Sequence, residues 1–228
     1  MRLNYENGFT EWGWRRMLAR TLNQRLDSLR TLVAVRHRPR RRRITIVIMA
    51  LLVLTGTFAG LSAARAVLYP RIDSPGRVDG IVVVAGIVDD RYDYARQLAE
   101  DGIADHILVS RPASLSGSYA RKLDSFCASD PVTVSDGRVV HIECFSPDVG
   151  TTEGEAAAGT RIAHSLGWES LLVVTYWGHV SRVRIYFEQC FNGSVFVIDT
   201  PQPLSTSRRD AILHETGGYV KAFLKPAC

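Results

Sequence analysis

Several ionisable and hydroxyl-bearing residues of this sequence follow directly after short apolar segments. In a parallel α/β sheet, ligands bind outside the carboxyl ends of the strands, so residues placed just after predicted strands are candidates for a site. The sequence therefore predicts that one rim of the sheet brings together Gly86, Arg91, Thr152, Glu155, His179 and Arg182.

These residue types suit the binding and processing of a phosphorylated ligand. Guanidinium groups match the geometry of phosphate oxygens, so Arg91 and Arg182 are predicted to hold the anion. His179 is the predicted general acid or base, with Glu155 orienting it or polarising a nucleophilic water. Thr152, at the start of a predicted helix, would offer a hydroxyl and backbone donors.

A second interpretation gives the same residues structural roles. Thr152 and Glu155 have the spacing of a capping box, which marks a helix start without any chemistry. His179 and Arg182 are one helical turn apart, where they could pair with Glu188 or Glu155. The protein would then be a non-catalytic envelope scaffold or interaction module.

Alternating strands and helices predict the elements that position these residues. Apolar runs predict strands at residues 81–85, 106–110, 139–145, 171–175 and 195–198, and helical patterns cover residues 92–101, 152–166, 180–189 and 208–224. This alternation indicates an α/β fold with a mostly parallel sheet and helices on both faces. His214 and Glu215, on the last predicted helix, are secondary site candidates.

Four cysteines lie in the second half of the chain, and their even number permits disulfides. Cys127 and Cys144 flank a turn-rich excursion that resembles a hairpin, whereas Cys190 ends a predicted helix and Cys228 is the last residue. Four cysteines allow three connectivities, which the sequence leaves open. Because the spacing of a zinc site is missing, disulfides are favoured and no metal site is expected.

One uncharged segment, residues 44–64, predicts a transmembrane anchor. About 20 apolar residues in a helix cross the hydrocarbon core of a bilayer. Residues 1–43 carry twelve Arg and no Lys, with six Arg in residues 36–43. Positive charge marks the cytoplasmic side, so we expect a single-pass protein of the plasma (inner) membrane with its N-terminus inside. Residues 65–77 are predicted to be a linker, and residues 78–228 an extracytoplasmic domain.

The cytoplasmic tail carries a basic helical pattern over residues 9–35. A basic amphipathic helix suits an anionic membrane surface, and a simple orienting tail explains the pattern as well. An Arg-rich arm that binds nucleic acid is the weaker alternative because the membrane segment is so near, so no nucleic acid is expected as a partner.

Two motifs stand out, GTTEGEAAAG at residues 150–159 and LLVVTYWGHVSRVRIYF at residues 171–187. They resemble the ElyC/SanA/YdcF envelope-protein family, and the resemblance covers about residues 78–225. With CFSPD at residues 144–148 and Cys190 after the second motif, the variant here looks actinobacterial. Matching the motifs residue by residue adds Asp79 and Thr175 to the candidate ligand-binding set. The chain departs from the family pattern at residues 110–112, where it has Ser-Arg-Pro and the family usually has Ser-Gly-Gly. It departs again after the first strand, where the family often has two glycines and this chain has one, Gly86.

The resemblance implies a Rossmann-like three-layer sandwich, preceded here by one transmembrane helix. It also implies a role in cell-envelope or peptidoglycan biogenesis or barrier integrity. Together with the predicted anion site, this role leads to the hypothesis that the domain binds or processes a phosphorylated, lipid-linked envelope intermediate. S-adenosylmethionine binding has been attributed to a cytoplasmic member of the family. Because that cofactor is cytoplasmic and this domain is expected outside the cell, we expect no cofactor.

Overall fold

The computed structural model describes residues 11–86, 90–201 and 207–228. Its first compact unit is Met1–Phe58 and its second is Ala59–Cys228. Helix α1 spans Glu11–Leu68, so the helix predicted over residues 9–35 is present from Glu11 onward, while residues 9 and 10 lie outside the described part. Within α1, the segment Arg40–Leu68 is long and apolar enough to cross a membrane.

The second unit is an α/β domain built on a six-stranded sheet. Its strands are β1 (Gly80–Val83), β2 (His106–Ser110), β3 (Val132–Thr133), β4 (Val139–Phe145), β5 (Ser170–Thr175) and β6 (Ser194–Asp199). Its helices are α2 (Arg91–Glu100), α3 (Gly117–Cys127), α4 (Thr152–Ser165), α5 (Val180–Cys190) and α6 (Arg208–Leu224), with a 3-10 turn at Trp177–His179. Every strand and helix predicted for this domain is confirmed, and the structure adds α3 and β3.

The sheet order β3-β4-β2-β1-β5-β6 is parallel throughout except for β3, which pairs antiparallel with β4. Strands β1 and β5 each lie between two neighbouring strands. Their β-branched and leucine side chains point to both faces of the sheet and are buried. The mostly parallel α/β architecture is therefore confirmed.

Two apolar clusters show that helices cover both faces of the sheet. On one face, Ile81 of β1 packs in a cluster with Tyr92 of α2 and Leu123 of α3. On the other face, the neighbouring Val82 shares a cluster with Phe187 of α5. The alternation of adjacent β1 side chains between the two clusters follows from the two-residue period of a strand.

The strand order also creates a crevice. From β1 the chain proceeds to β2 on one side, whereas β5 and β6 lie on the other side. The connections after β1 and β5 therefore leave the sheet in opposite directions, and the gap between them opens at the carboxyl ends of these strands.

Both disulfides join residues that the sequence singled out. Cys127 at the end of α3 bonds to Cys144 in β4, and Cys190 at the end of α5 bonds to the C-terminal Cys228. The excursion between the first pair is the antiparallel β3–β4 hairpin, whose turn contains Gly137 at a φ of 85°. The tertiary structure thus selects one of the three possible connectivities.

Residues 65–77, predicted to be a linker, are bound to the domain. Helix α1 continues to Leu68, and the hydroxyl of Ser181 donates to the carbonyl oxygen of Ala66 over 2.7 Å. The carboxylate of Asp73 accepts hydrogen bonds from the backbone of Val197 and from Arg184, at 2.9 and 2.6 Å. These contacts attach the segment to α5 and β6.

Candidate functional site

A cleft of about 720 Å³ lies at the carboxyl ends of β1 and β5. The predicted residues that line it are Gly86, Arg91, Thr152, Glu155, His179 and Arg182. Helix α6 supplies a further wall with Asp210, Ala211, His214, Glu215 and Lys221, and Tyr176 follows β5. The structure therefore brings together the residues that the strand ends predicted, and α6 adds five further lining residues to them.

The first turn of α4 leaves the side chains of Thr152 and Glu155 free of capping. The N-cap is Thr151, whose hydroxyl accepts a hydrogen bond from the backbone N–H of Gly154 at 3.3 Å. Glu155 instead accepts a 2.6 Å hydrogen bond from the backbone N–H of Ala85, after β1. The N-cap therefore lies one residue before Thr152, and Gly154 at the third helical position has no side chain to complete a capping box. Thr152 and Glu155 instead both line the cleft.

A chain of hydrogen bonds joins two threonines through His179. Nε2 of His179 lies 3.0 Å from Oγ1 of Thr152, and Nδ1 lies 2.9 Å from Oγ1 of Thr175. Nη1 of Arg182 donates to the same Thr152 oxygen over 3.0 Å. Thr175 is fully buried in β5, so it positions the imidazole from the buried side of the ring. The sequence analysis had assigned this positioning role to Glu155.

His179 is neutral at physiological pH. Burial lowers its pKa well below the usual value, and the positive charges of Arg182, Arg91 and His214 lower it further. A depressed pKa makes an imidazole a weaker base, and an anion bound among these cations would raise the pKa again. Because the protonated ring that a general acid needs is disfavoured, a base is the role that better suits His179.

The guanidinium group of Arg182 is held by a carboxylate on α6. Its Nε and Nη2 donate to the two carboxylate oxygens of Glu215 over 2.8 and 3.0 Å, and Tyr176 donates to the same carboxylate. This partner replaces Glu188 and Glu155, which the sequence had suggested. A Cβ atom at Gly218 would lie 2.7 Å from Cδ of Arg182, so this glycine makes room for the arginine against α6.

Glu155 and Arg91 form the buried floor of the cleft. Both side chains are almost completely buried, at 4% and 1% exposure. Burial raises the pKa of the Glu155 carboxyl group, and the positive charges of Arg91 and Arg182 oppose that rise. The guanidinium of Arg91 donates to the carbonyl oxygen of Val84 over 2.9 Å. A Cβ atom at Gly86 would overlap this guanidinium, so the glycine is required for its position.

Asp79 lies at the opposite edge of the sheet. It precedes β1, and its carboxylate accepts hydrogen bonds from the backbone N–H groups of Glu169 and Ser170 at 2.9 and 2.8 Å. In a parallel sheet, residues before a strand lie at the edge away from the carboxyl ends. The structure thus places Asp79 where it joins the starts of β1 and β5, outside the cleft.

The fold and the cleft define a class of protein: an α/β domain with a cleft at the carboxyl edge of its sheet, preceded by a helix long enough to span a membrane. No protein-family model matches the sequence, and no curated protein or solved structure is significantly similar to it. Within the described residues, no group of His, Cys, Asp or Glu is arranged to hold a metal ion.

Proposed function

We propose that this protein is a single-pass membrane protein of the ElyC/SanA/YdcF type, with a Rossmann-like extracytoplasmic domain that binds and processes a phosphorylated cell-envelope intermediate. The N-terminus is cytoplasmic in this proposal. Two disulfides support an oxidising compartment for the domain, and the Arg-rich N-terminal side of the apolar segment supports this orientation.

The observation that carries the proposal is the pair of guanidinium groups, of Arg91 and Arg182, that line the cleft beside His179. Burial lowers the pKa of this imidazole, and Arg182, Arg91 and His214 lower it further by disfavouring a positive charge. These cations are potential partners of a bound anion. The N-terminus of the 14-residue helix α4 adds a partial positive charge beside Thr152. A phosphate group suits this end of the cleft.

The arrangement supports a proton-transfer role for the dyad of Thr152 and His179. In the proposal, His179 takes a proton from a water molecule that attacks the phosphorus atom of the bound phosphate ester. The bond from phosphorus to the ester oxygen breaks, the leaving oxygen takes up a proton from solvent, and the products are an alcohol and a free phosphate. The guanidinium groups of Arg182 and Arg91 then stabilise the negative charge that develops. Glu215 and Thr175 act as positioning residues because they hold Arg182 and His179.

Ligand-induced thermal stabilisation of the full chain in nanodiscs tests the proposal. The probes are inorganic phosphate, nucleotide sugars, a polyprenyl phosphate and S-adenosylmethionine. A ligand that binds only the folded state raises the melting temperature by mass action. We expect a phosphate-bearing probe to stabilise the wild type and the His141→Gln control, which changes a half-exposed histidine away from the cleft. We expect a clearly smaller stabilisation of Thr152→Val and of Arg182→Met at the same probe concentration.

The scaffold alternative has its own supporting observation. Arg182 is already paired with the buried Glu215 through two hydrogen bonds, and Lys221 lies 3.9 Å from Glu153. If no probe shifts the wild type, while Arg182→Met melts markedly lower, these pairs are structural and the phosphate proposal is wrong.

A further inference from the structure

A second cleft, of about 730 Å³, lies at the edge of the sheet opposite the first. It is formed by the end of α4 and by the two connections that lead into β5 and β6, and its lining includes His164, Trp168, Glu169, Asn192, Gly193 and Ser194. We call it the amino-edge cleft, because residues that precede a strand of a parallel sheet lie away from the carboxyl ends. It shares no lining residue with the cleft that contains His179. Its volume is typical of a small-molecule site.

The backbone sets the walls of the amino-edge cleft. The backbone N–H of Ser194 donates to the carbonyl oxygen of Glu169 over 2.8 Å, which joins the two connections. Gly193 makes this close approach possible, because a Cβ atom there would overlap the same carbonyl oxygen. The side chains that line the cleft are therefore not needed to hold its walls together.

Asp79 supports the same edge of the sheet. Its carboxylate accepts hydrogen bonds from the backbone N–H groups of Glu169 and Ser170 and from the Ser170 hydroxyl, at 2.9, 2.8 and 2.8 Å. The bond from the Glu169 backbone is the largest of the effects that lower the pKa of this carboxyl group. Asp79, which has no part in the first cleft, thus fixes the connection that carries Trp168 and Glu169.

Three polar side chains of the amino-edge cleft are available to a ligand. The Glu169 carboxylate, the Asn192 amide and the Ser194 hydroxyl belong to exposed residues, and none of them forms a hydrogen bond or an ion pair within the described part of the chain. A carboxylate accepts hydrogen bonds, whereas an amide and a hydroxyl both donate and accept. One concave surface therefore presents donors and acceptors together.

Two aromatic rings supply the apolar part of the lining. The imidazole of His164 is exposed and stacks on Phe191, with ring centres 5.1 Å apart and ring planes 17° apart. The half-buried indole of Trp168 packs edge-on against His106, with ring centres 5.4 Å apart. These contacts hold both rings in place. Such side chains combine an apolar ring surface with nitrogen atoms that can form hydrogen bonds.

The charge of the amino-edge cleft differs from that of the first cleft. None of the described residues that line it is Lys or Arg, and Glu169 is its one acidic side chain. The first cleft, in contrast, contains Arg91 and Arg182. An anion in the amino-edge cleft would face a carboxylate without any compensating cation, which disfavours binding. A neutral ligand with many hydroxyl groups matches the donors, acceptors and rings.

We infer that the amino-edge cleft is a binding site for a neutral saccharide. Glu169, Asn192 and Ser194 form hydrogen bonds with sugar hydroxyl groups, and His164 and Trp168 contact the C–H groups of a sugar ring. Asp79 is a positioning residue of this site. The inference does not depend on the phosphate chemistry proposed for the first cleft.

Saturation-transfer NMR titration of the full chain in nanodiscs tests the site. The probes are three neutral trisaccharides, maltotriose, cellotriose and chitotriose. We expect at least one of them to bind the wild type, and His164→Ala, Asn192→Leu and Ser194→Ala each to weaken this binding at least threefold. The matched controls are His141→Ala, at a half-exposed histidine, and Ser165→Ala, at an exposed serine that does not line the cleft. Binding of none of the probes, or equal losses in variants and controls, overturns the inference.

Two further titrations separate this site from its alternatives. We expect trigalacturonate, which is anionic, and the glucosamine trisaccharide, which is cationic, to bind at least fivefold more weakly than the best neutral probe. Tighter binding of either one overturns the neutral ligand class. Thr152→Val, which changes the first cleft, should bind the neutral trisaccharide with the affinity of the wild type. Loss of saccharide binding in this variant would assign the sugar to the first cleft and overturn the inference, whereas a failure of every phosphate probe would leave it intact.

Discussion

Oγ1 of Thr152 lies 3.0 Å from Nε2 of His179 and accepts a hydrogen bond from Arg182 at the same distance. The hydroxyl group thus has a cationic donor on one side and a neutral imidazole on the other. The cation stabilises negative charge on the oxygen, and the imidazole can take its proton. Thr152 and His179 are therefore the pair on which the proposed chemistry depends.

Replacement of Thr152 by valine removes this hydroxyl and preserves the shape of the side chain. We expect phosphate binding to weaken roughly ten- to hundredfold, since a hydrogen bond to a charged group contributes about 1.5–3 kcal/mol. Thr152→Ser should retain binding because it keeps the oxygen. Isothermal titration of both variants measures the effect, and equal losses in the two would show that the methyl group matters and the hydroxyl does not.

His179 should make the folded protein sensitive to acid. Its pKa in the folded state is well below the ordinary value of 6.5. Below pH 6.5 the unfolded chain binds a proton that the folded protein does not, so the free energy of unfolding falls as the pH drops. The slope contributed by this residue is at most about 1.4 kcal/mol per pH unit.

The His179→Gln variant should lack that slope. Urea unfolding of both proteins at pH values from 7.5 to 5 measures the difference, and His141→Gln serves as the control for a histidine that is half exposed. Parallel curves for wild type and His179→Gln would contradict the buried, neutral state of the imidazole.

Removing the charge of only one partner of the Arg182–Glu215 pair should lower the free energy of unfolding. Glu215 is 1% exposed, so Glu215→Gln leaves a poorly compensated guanidinium in the cleft wall. We expect a loss of about 3 kcal/mol in the free energy of unfolding. The double variant Arg182→Met/Glu215→Gln should recover part of this loss in a double-mutant cycle. Strict additivity of the two single changes would argue against direct coupling.

A methyl group at Gly86 should displace the buried guanidinium of Arg91. We expect Gly86→Ala to lower the free energy of unfolding by about 1–3 kcal/mol and to weaken phosphate binding. Gly76→Ala is the matched control because a Cβ atom there has open space around it. Thermal unfolding and phosphate titration of the two variants check this prediction. Identical behaviour would show that Arg91 is free to move aside.

The two disulfides should differ in their contributions to stability. They close segments with sequence separations of 17 for Cys127–Cys144 and 38 for Cys190–Cys228. Loop-closure entropy gives about 3 kcal/mol for the shorter and about 4 kcal/mol for the longer. Chemical unfolding of the two Cys→Ser double variants compares them, and a larger loss from the shorter loop would contradict this order.

Local sequence patterns predicted much of the architecture. The apolar run at residues 171–175 indicated a strand buried on both faces, and β5 occupies that position. The uncharged segment at residues 44–64 lies inside the helical segment Arg40–Leu68. The ends of predicted strands also located the cleft residues, because in a parallel sheet the strand ends share one edge. Helix α3 was not predicted, although its buried residues Ala120, Leu123 and Phe126 recur at helical spacing.

Contacts between distant parts of the chain appeared only in the tertiary structure. Arg182 pairs with Glu215, 33 residues away on α6, although nearer carboxylates were available in sequence. Asp79 belongs to the opposite edge of the sheet, and Ser181 attaches the end of α1 beside the site. Local patterns specify which side chains an element buries, since that depends on its own periodicity. Which buried or charged groups meet depends on how separate elements pack, because pairing energies act between residues brought together only by the whole fold.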